Sequence, residues 1–123
     1  MPKVLIVEDN EMDRDMLGRR LSRNGFSLCC AVDAPSGISL AGTELPDVIL
    51  MDLSLGEMDG WEAIKRIRSN PATANIPIIV LTSHPLDRDR AKSAERGCRD
   101  FDTKPVELKR LLSKINACLA TGA

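Results

Sequence analysis

Residues 4–10 read VLIVEDN, an unbroken apolar run from Val4 to Val7 that ends on the two carboxylates Glu8 and Asp9. A strand with one wet face alternates apolar and polar residues. A run without alternation predicts a strand covered on both faces, and such strands belong to parallel sheets. The same reading applies to VILM at 48–51 and IIVL at 78–81, each bounded by polar or turn residues. Ser27 to Val32 and Asp100 to Asp102 are more polar or shorter, as edge strands are when they avoid unwanted pairing. These two segments are expected to flank the three apolar ones.

Helical patterns fill the intervals. In the first, Met12, Met16, Leu17 and Leu21 read as one apolar side, with Asn10 as N-cap and Gly25 as the stop. Asp33 followed by Pro35 opens a second helix carrying Ile38 and Ala41, and a third runs from about Gly60 through Ile64 and Ile67 to Asn70-Pro71. Leu86 to Glu95 is a weaker pattern, anchored only by Leu86, Ala91 and Ala94, and is expected to dock least firmly. The last helix follows Pro105 with Leu108, Leu111, Leu112, Ile115 and Leu119 at helical spacing, while Lys109, Arg110 and Lys114 face elsewhere. Regular alternation of strand and helix, without repeats or low-complexity stretches, predicts an α/β fold. Its form is a doubly wound five-stranded parallel sheet in the order 2-1-3-4-5, the flavodoxin-like (βα)5 arrangement. Ligands of such sheets bind beyond the carboxyl ends of the strands, at the switch point between the first and third.

A length of 123 residues suits one domain over 1–123, and 43% apolar with 28% charged residues is the balance of a chain that folds by itself. Seventeen basic against eighteen acidic residues, net charge -1, leave no electrostatic footprint for nucleic acid or an anionic membrane. The apolar run at the N-terminus is too short for a signal-peptide core or a spanning helix, so a cytoplasmic protein is expected. Cys29 and Cys30 are adjacent while Cys98 and Cys118 stand apart, so there is no CxxC pair and reduced, structural thiols are expected.

The topology brings scattered residues to one edge. Glu8 and Asp9 end the first strand, Asp52 ends the third, Thr82 and Ser83 end the fourth, and Lys104 follows the fifth. Three crowded carboxylates raise one another's pKa unless a cation neutralises them. Hard oxygen ligands with room for water and phosphate suit Mg²⁺. If a phosphoryl group is transferred here, the protein must hold the reactants in line and screen the charge on the equatorial oxygens. Asp52 would be the nucleophile, with the metal bridging it to one phosphoryl oxygen, Lys104 pairing with a second and Thr82 bonding a third.

In VLIVEDN at 4–10, VILMDLSL at 48–55, IIVLTS at 78–83 and GCRDFDTKP at 97–105, the chain resembles the receiver domains of two-component response regulators along nearly its whole length. The resemblance implies phosphorylation of Asp52 by a sensor histidine kinase or a histidine phosphotransfer protein. It also implies Mg²⁺ held by Asp9, Asp52 and the backbone carbonyl of Ser54, with Glu8 acting through water. Lys104-Pro105 resembles the family's cis peptide, and Thr82 with Phe101 resembles its switch pair. Such a domain is no enzyme in the usual sense, since it assists only its own phosphorylation and dephosphorylation. It is expected as a monomer or weak dimer that passes its signal to a downstream protein effector, with no attached output domain.

Some positions depart from that pattern. Gly56 stands where a proline is common, and Ser54 and His84 occupy places that influence phosphoryl lifetime. His84 reads more simply as an exposed loop residue and is left out of the site, and Phe101 could be an ordinary edge-strand core residue. A flavin-binding electron carrier shares the strand order but needs a Ser/Thr/Gly-rich loop after the first strand and aromatic residues around the ring. Glu8-Asp9-Asn10 and 2% aromatics argue against it. An Asp-nucleophile phosphatase would carry a second aspartate at position 54. A receiver-like module acting only as an interaction surface is the third alternative, against which the full set of site residues argues.

Overall fold

The computed structural model describes residues 1–53, 60–82 and 97–121. Five strands form one sheet: β1 (Lys3–Val7), β2 (Ser27–Ala31), β3 (Val48–Asp52), β4 (Ile78–Thr82) and β5 (Asp100–Thr103). Their order is β2-β1-β3-β4-β5, with every pairing parallel, as the apolar runs predict. Four helices are described: α1 (Glu11–Arg23), α2 (Ala34–Glu44), α3 (Gly60–Ser69) and α4 (Leu108–Thr121). The pattern at Leu86 to Glu95, together with Ser54, Gly56, Ser83 and His84, lies outside the described residues.

Alternation along each strand divides the interior into two layers. Leu5, Val7, Ile49, Met51, Ile78 and Val80 pack with Ala34 and Ala41 of α2 and with Trp61, Ile64 and Ile67 of α3. Val4, Ile6, Val48, Leu50, Ile79 and Leu81 pack on the other face with Leu17 and Leu21 of α1 and Leu111, Ile115 and Cys118 of α4. The inner strands β3 and β4 are buried at every residue, and each large aliphatic side chain so buried contributes about 1.5–3 kcal/mol.

Helix ends follow the sequence signals. Asn10 accepts a hydrogen bond from the Asp13 amide at 3.0 Å, and Asp33 accepts one from Ser36 at 2.8 Å ahead of Pro35 in the first turn. Gly25 takes φ +88° just after α1, a conformation that costs glycine little. The Lys104-Pro105 peptide is cis, as the resemblance implies.

The apolar side expected for α1 needs correction. Met12 is 81% exposed and Met16 47%, whereas Leu17, Gly18 and Leu21 are buried. At 3.6 residues per turn Met12 lies about 180° from Leu21, so the two cannot share a face. The stripe that meets the sheet is 14, 17, 18 and 21, and its first position is an arginine. On α4 the aliphatic stripe docks as expected, but Arg110 and Lys114 turn to β5. Arg110 Nε lies 2.7 Å from Oδ1 of the buried Asp102, and Lys114 Nζ donates to the Phe101 carbonyl.

Among the described residues one non-glycine has positive φ: Leu45, at +44°, which closes α2 in the left-handed region and is 55% exposed. Leu45→Gly removes the steric cost of that conformation and sacrifices little packing. It should raise stability by about 0.5–1 kcal/mol, read as a higher urea midpoint at unchanged slope.

Candidate functional site

Because the strands run parallel, their carboxyl ends form one rim, and backbone bonds continue past the strands to fix it. Glu8 N donates to Ala31 O at 3.0 Å, Leu53 N to Leu81 O at 3.2 Å and Lys104 N to Thr82 O at 2.8 Å. These bonds set the heights at which the functional side chains leave the sheet.

One carboxylate oxygen from each of Glu8, Asp9 and Asp52 lies within 4.8 Å of the others. Glu8 and Asp52 are buried, while Asp9 faces solvent. Lys104 Nζ is ion-paired with Glu8 Oε1 and stands 3.4 Å from Asp52 Oδ2 and 4.0 Å from Asp13 Oδ2. One ammonium among these carboxylates leaves the cluster short of positive charge, which is the condition a bound cation relieves. The ionisations reflect it. Burial pushes the Glu8 carboxyl up, the hydrogen bond and charge of Asp52 push it further, and Lys104 opposes them. Burial acts to lower Lys104, but its bonds and charge contacts with Glu8 and Asp52 outweigh it and raise the ammonium above its ordinary value.

Thr82 is buried at the end of β4. Phe101 is half-buried against the α2/α3 layer, and its register partner Val80 belongs to that layer. Thr82, two residues on from Val80, therefore shares a sheet face with Phe101. Beside Glu8 and Lys104 a cleft of about 230 Å³ opens between α1 and the segment after β5, lined also by Met16, Leu17, Arg20, Pro105 and Val106. No disulfide joins the four cysteines. Among the described residues no helix is long and apolar enough to cross a membrane.

Two residues at the site were not singled out from the sequence. A Cβ on Gly60 would sit 2.5 Å from Asp52 O and 2.9 Å from Leu53 Cα, so α3 begins in direct contact with the Asp52 backbone. Gly60 N also donates to Leu53 O at 3.3 Å. Arg14 Nη1 donates to the Glu8 carbonyl at 2.9 Å. The only sequence signals were a glycine opening a helix and a cation on an apolar stripe.

The sequence matches the family model of the response regulator receiver domain over residues 4–116. It is 34% identical over 120 residues to Protein PilH of Pseudomonas aeruginosa, covering 98% of this chain and 99% of PilH. It is 33% identical over 119 residues to the DNA-binding dual master transcriptional regulator RpaA of Synechocystis, covering 97% of this chain but only 49% of RpaA. Among solved structures, the receiver domain of a sensor histidine kinase from Pseudomonas aeruginosa PAO1 aligns with a TM-score of 0.90 at 28% identity, covering 98% of each chain. That protein holds a magnesium ion coordinated in its active site cleft. The chain belongs to the response regulator receiver domain family, with the flavodoxin-like fold of two-component signalling. Receiver domains bind Mg²⁺ at an acidic site, and the described residues include such a cluster.

Two outcomes follow from this geometry. Folded Glu8 keeps its proton to higher pH than unfolded Glu8, so rising pH above its ordinary value of 4.5 favours the unfolded chain at this residue. In metal-free protein the stability of Glu8→Gln relative to wild type should therefore increase from about pH 4 to about pH 7, read from urea midpoints across the range. Gly60→Ala should destabilise by about 1–3 kcal/mol, because either β3 or the start of α3 must move to admit the methyl group. Denaturant unfolding checks this.

Proposed function

We propose that Asp52 accepts a phosphoryl group from the phosphoimidazole of a sensor histidine kinase or histidine phosphotransfer protein. We read the 123 residues as one such receiver unit, acting in the cytoplasm as a monomer or weak dimer. The observation that carries this reading is the placement of buried Asp52, with Lys104 Nζ 3.4 Å away and two further carboxylates beside it.

In the transfer, an Asp52 carboxylate oxygen forms a bond to phosphorus as the phosphorus–nitrogen bond of the donor breaks, and the departing imidazole keeps the electron pair and takes up a proton. Glu8, Asp9, Asp52 and the backbone carbonyl of Ser54 would hold Mg²⁺, Glu8 through water, and their all-oxygen character fits a hard divalent ion. When bound, the ion supplies the positive charge that one lysine cannot. Lys104 is tethered by its own amide to Thr82 O, which keeps its ammonium within reach of a phosphoryl oxygen. The Thr82 hydroxyl would bond another. Thr82 and Phe101 share a sheet face, which supports their reading as the switch pair. The domain assists only its own phosphorylation and dephosphorylation, and its output passes to a protein effector.

Incubated with acetyl phosphate and Mg²⁺, the protein should gain one phosphoryl group by intact mass, labile in base as an acyl phosphate is. Asp52→Asn should abolish it, since the amide is nearly isosteric but a far poorer nucleophile. Lys104→Ala should slow the gain by about 10²- to 10³-fold, the effect of removing one preorganised charge partner. A base-stable adduct, or one that survives Asp52→Asn, would overturn the assignment.

A further inference from the structure

The stripe of α1 that meets the sheet has its polar member at the site. Positions 14, 17, 18 and 21 follow helical spacing, and Leu17, Gly18 and Leu21 are buried. Arg14 occupies the place of a fourth core residue in the turn nearest the carboxyl rim. Its backbone amide bonds Asn10 O at 2.9 Å in the first turn of the helix, and its Nη1 reaches back to the Glu8 carbonyl, also at 2.9 Å.

From this geometry we infer that Arg14 is a positioning residue of the metal site, holding the peptide that joins Glu8 to Asp9 so that both carboxylates aim at Asp52. The inference rests on the metal reading given above. That peptide is the second past the end of β1, after the one joining Val7 to Glu8. Its Glu8 side is fixed by the bond from Glu8 N to Ala31 O, and the bond from Asn10 N to Glu8 Oε2 is long, at 3.3 Å. Arg14 supplies the bond that sets the plane of the carbonyl. Rotation of that plane would swing Asp9, the exposed ligand, away from the two buried ones. A guanidinium presents several donors in a rigid plane and stays charged, so it can hold a carbonyl at a half-buried place from a helix turn away.

Charge and positioning predict opposite signs. As a charge, Arg14 repels a divalent cation, so its removal would tighten binding. As a clamp, its removal weakens binding, and lost support behind metal ligands typically costs about 10- to 100-fold in affinity. The full chain is titrated with MgCl₂ at constant ionic strength by calorimetry, as wild type, Arg14→Ala, Arg14→Gln and Arg14→Lys. Arg14→Ala should bind about 10-fold more weakly, and Arg14→Lys, which keeps a long side chain ending in a donor, should recover part of the loss, whereas Arg14→Gln, whose amide ends short of the carbonyl, should not. Equal or tighter binding by Arg14→Ala overturns the inference, as does Arg14→Lys binding no better than Arg14→Ala. Amide hydrogen exchange of the metal-free proteins gives a second readout. Exchange at Asp9 and Asn10 should be faster in Arg14→Ala and partly restored in Arg14→Lys, with the β3 amides unchanged in both. If wild type takes up no Mg²⁺, the metal reading fails, and Arg14 is then decided by exchange alone, where unchanged rates refute it. Should Arg14→Ala fail to fold, Arg14→Gln takes its place, with the same loss expected and with wild-type binding and exchange overturning the clamp.

Discussion

An ammonium held between two buried carboxylates from other strands is the contact on which the arrangement depends. Taking Lys104, Glu8 and Asp52 out of water costs several kcal/mol for each ion, and mutual attraction repays this only when the geometry is good. Each ion sits at the end of a different strand, so the contact exists only if β1, β3 and β5 stop at matching heights. The bonds from Glu8 to Ala31, Leu53 to Leu81 and Lys104 to Thr82 enforce those heights. A one-residue slip of any strand would point its carboxylate or ammonium to the opposite face and leave a buried charge unmatched.

The rigidity behind that contact comes from the two apolar layers. β3 and β4 are buried at all positions, so the strands that carry Asp52 and Thr82 are held from both sides. The helices add their own constraint at the rim, where α3 begins against the Asp52 backbone at Gly60 and α1 reaches the Glu8 carbonyl through Arg14. The site is thus braced by the helix flanking each acidic strand end.

Much of this was legible in one dimension because it rests on local patterns. Unbroken apolar runs marked β1, β3 and β4, and Asn10 and Asp33 marked helix starts, because a doubly covered strand and an orphan amide each demand particular residues. With the strand order in hand, Glu8, Asp9, Asp52, Thr82 and Lys104 fall on one rim by topology alone. What escaped were features fixed by angle or by close approach. Met12 and Met16 looked like core by composition, yet the rotation of α1 is set by Leu17, Gly18 and Leu21. That rotation turned Arg14 inward. Gly60 matters because of an atom far away in sequence, and no spacing rule reports that. Asp102 looked like a polar edge residue, whereas its register partner Leu81 places it on the buried face.

Asp102 gives the outer part of the sheet a different mechanical character from the centre. Its Oδ1 is engaged by Arg110, while Oδ2 is buried without a hydrogen-bond partner among the described residues. Lys114 stands almost midway between Asp100 and Asp102, at 3.7 and 3.8 Å. Apolar interdigitation resists sliding because every displacement opens a gap. A ladder of like-charged rungs opposite two cations offers alternative pairings at nearly equal energy. The seam between β5 and α4 is therefore a graded joint, responsive to ionic strength where the inner strands are indifferent to it.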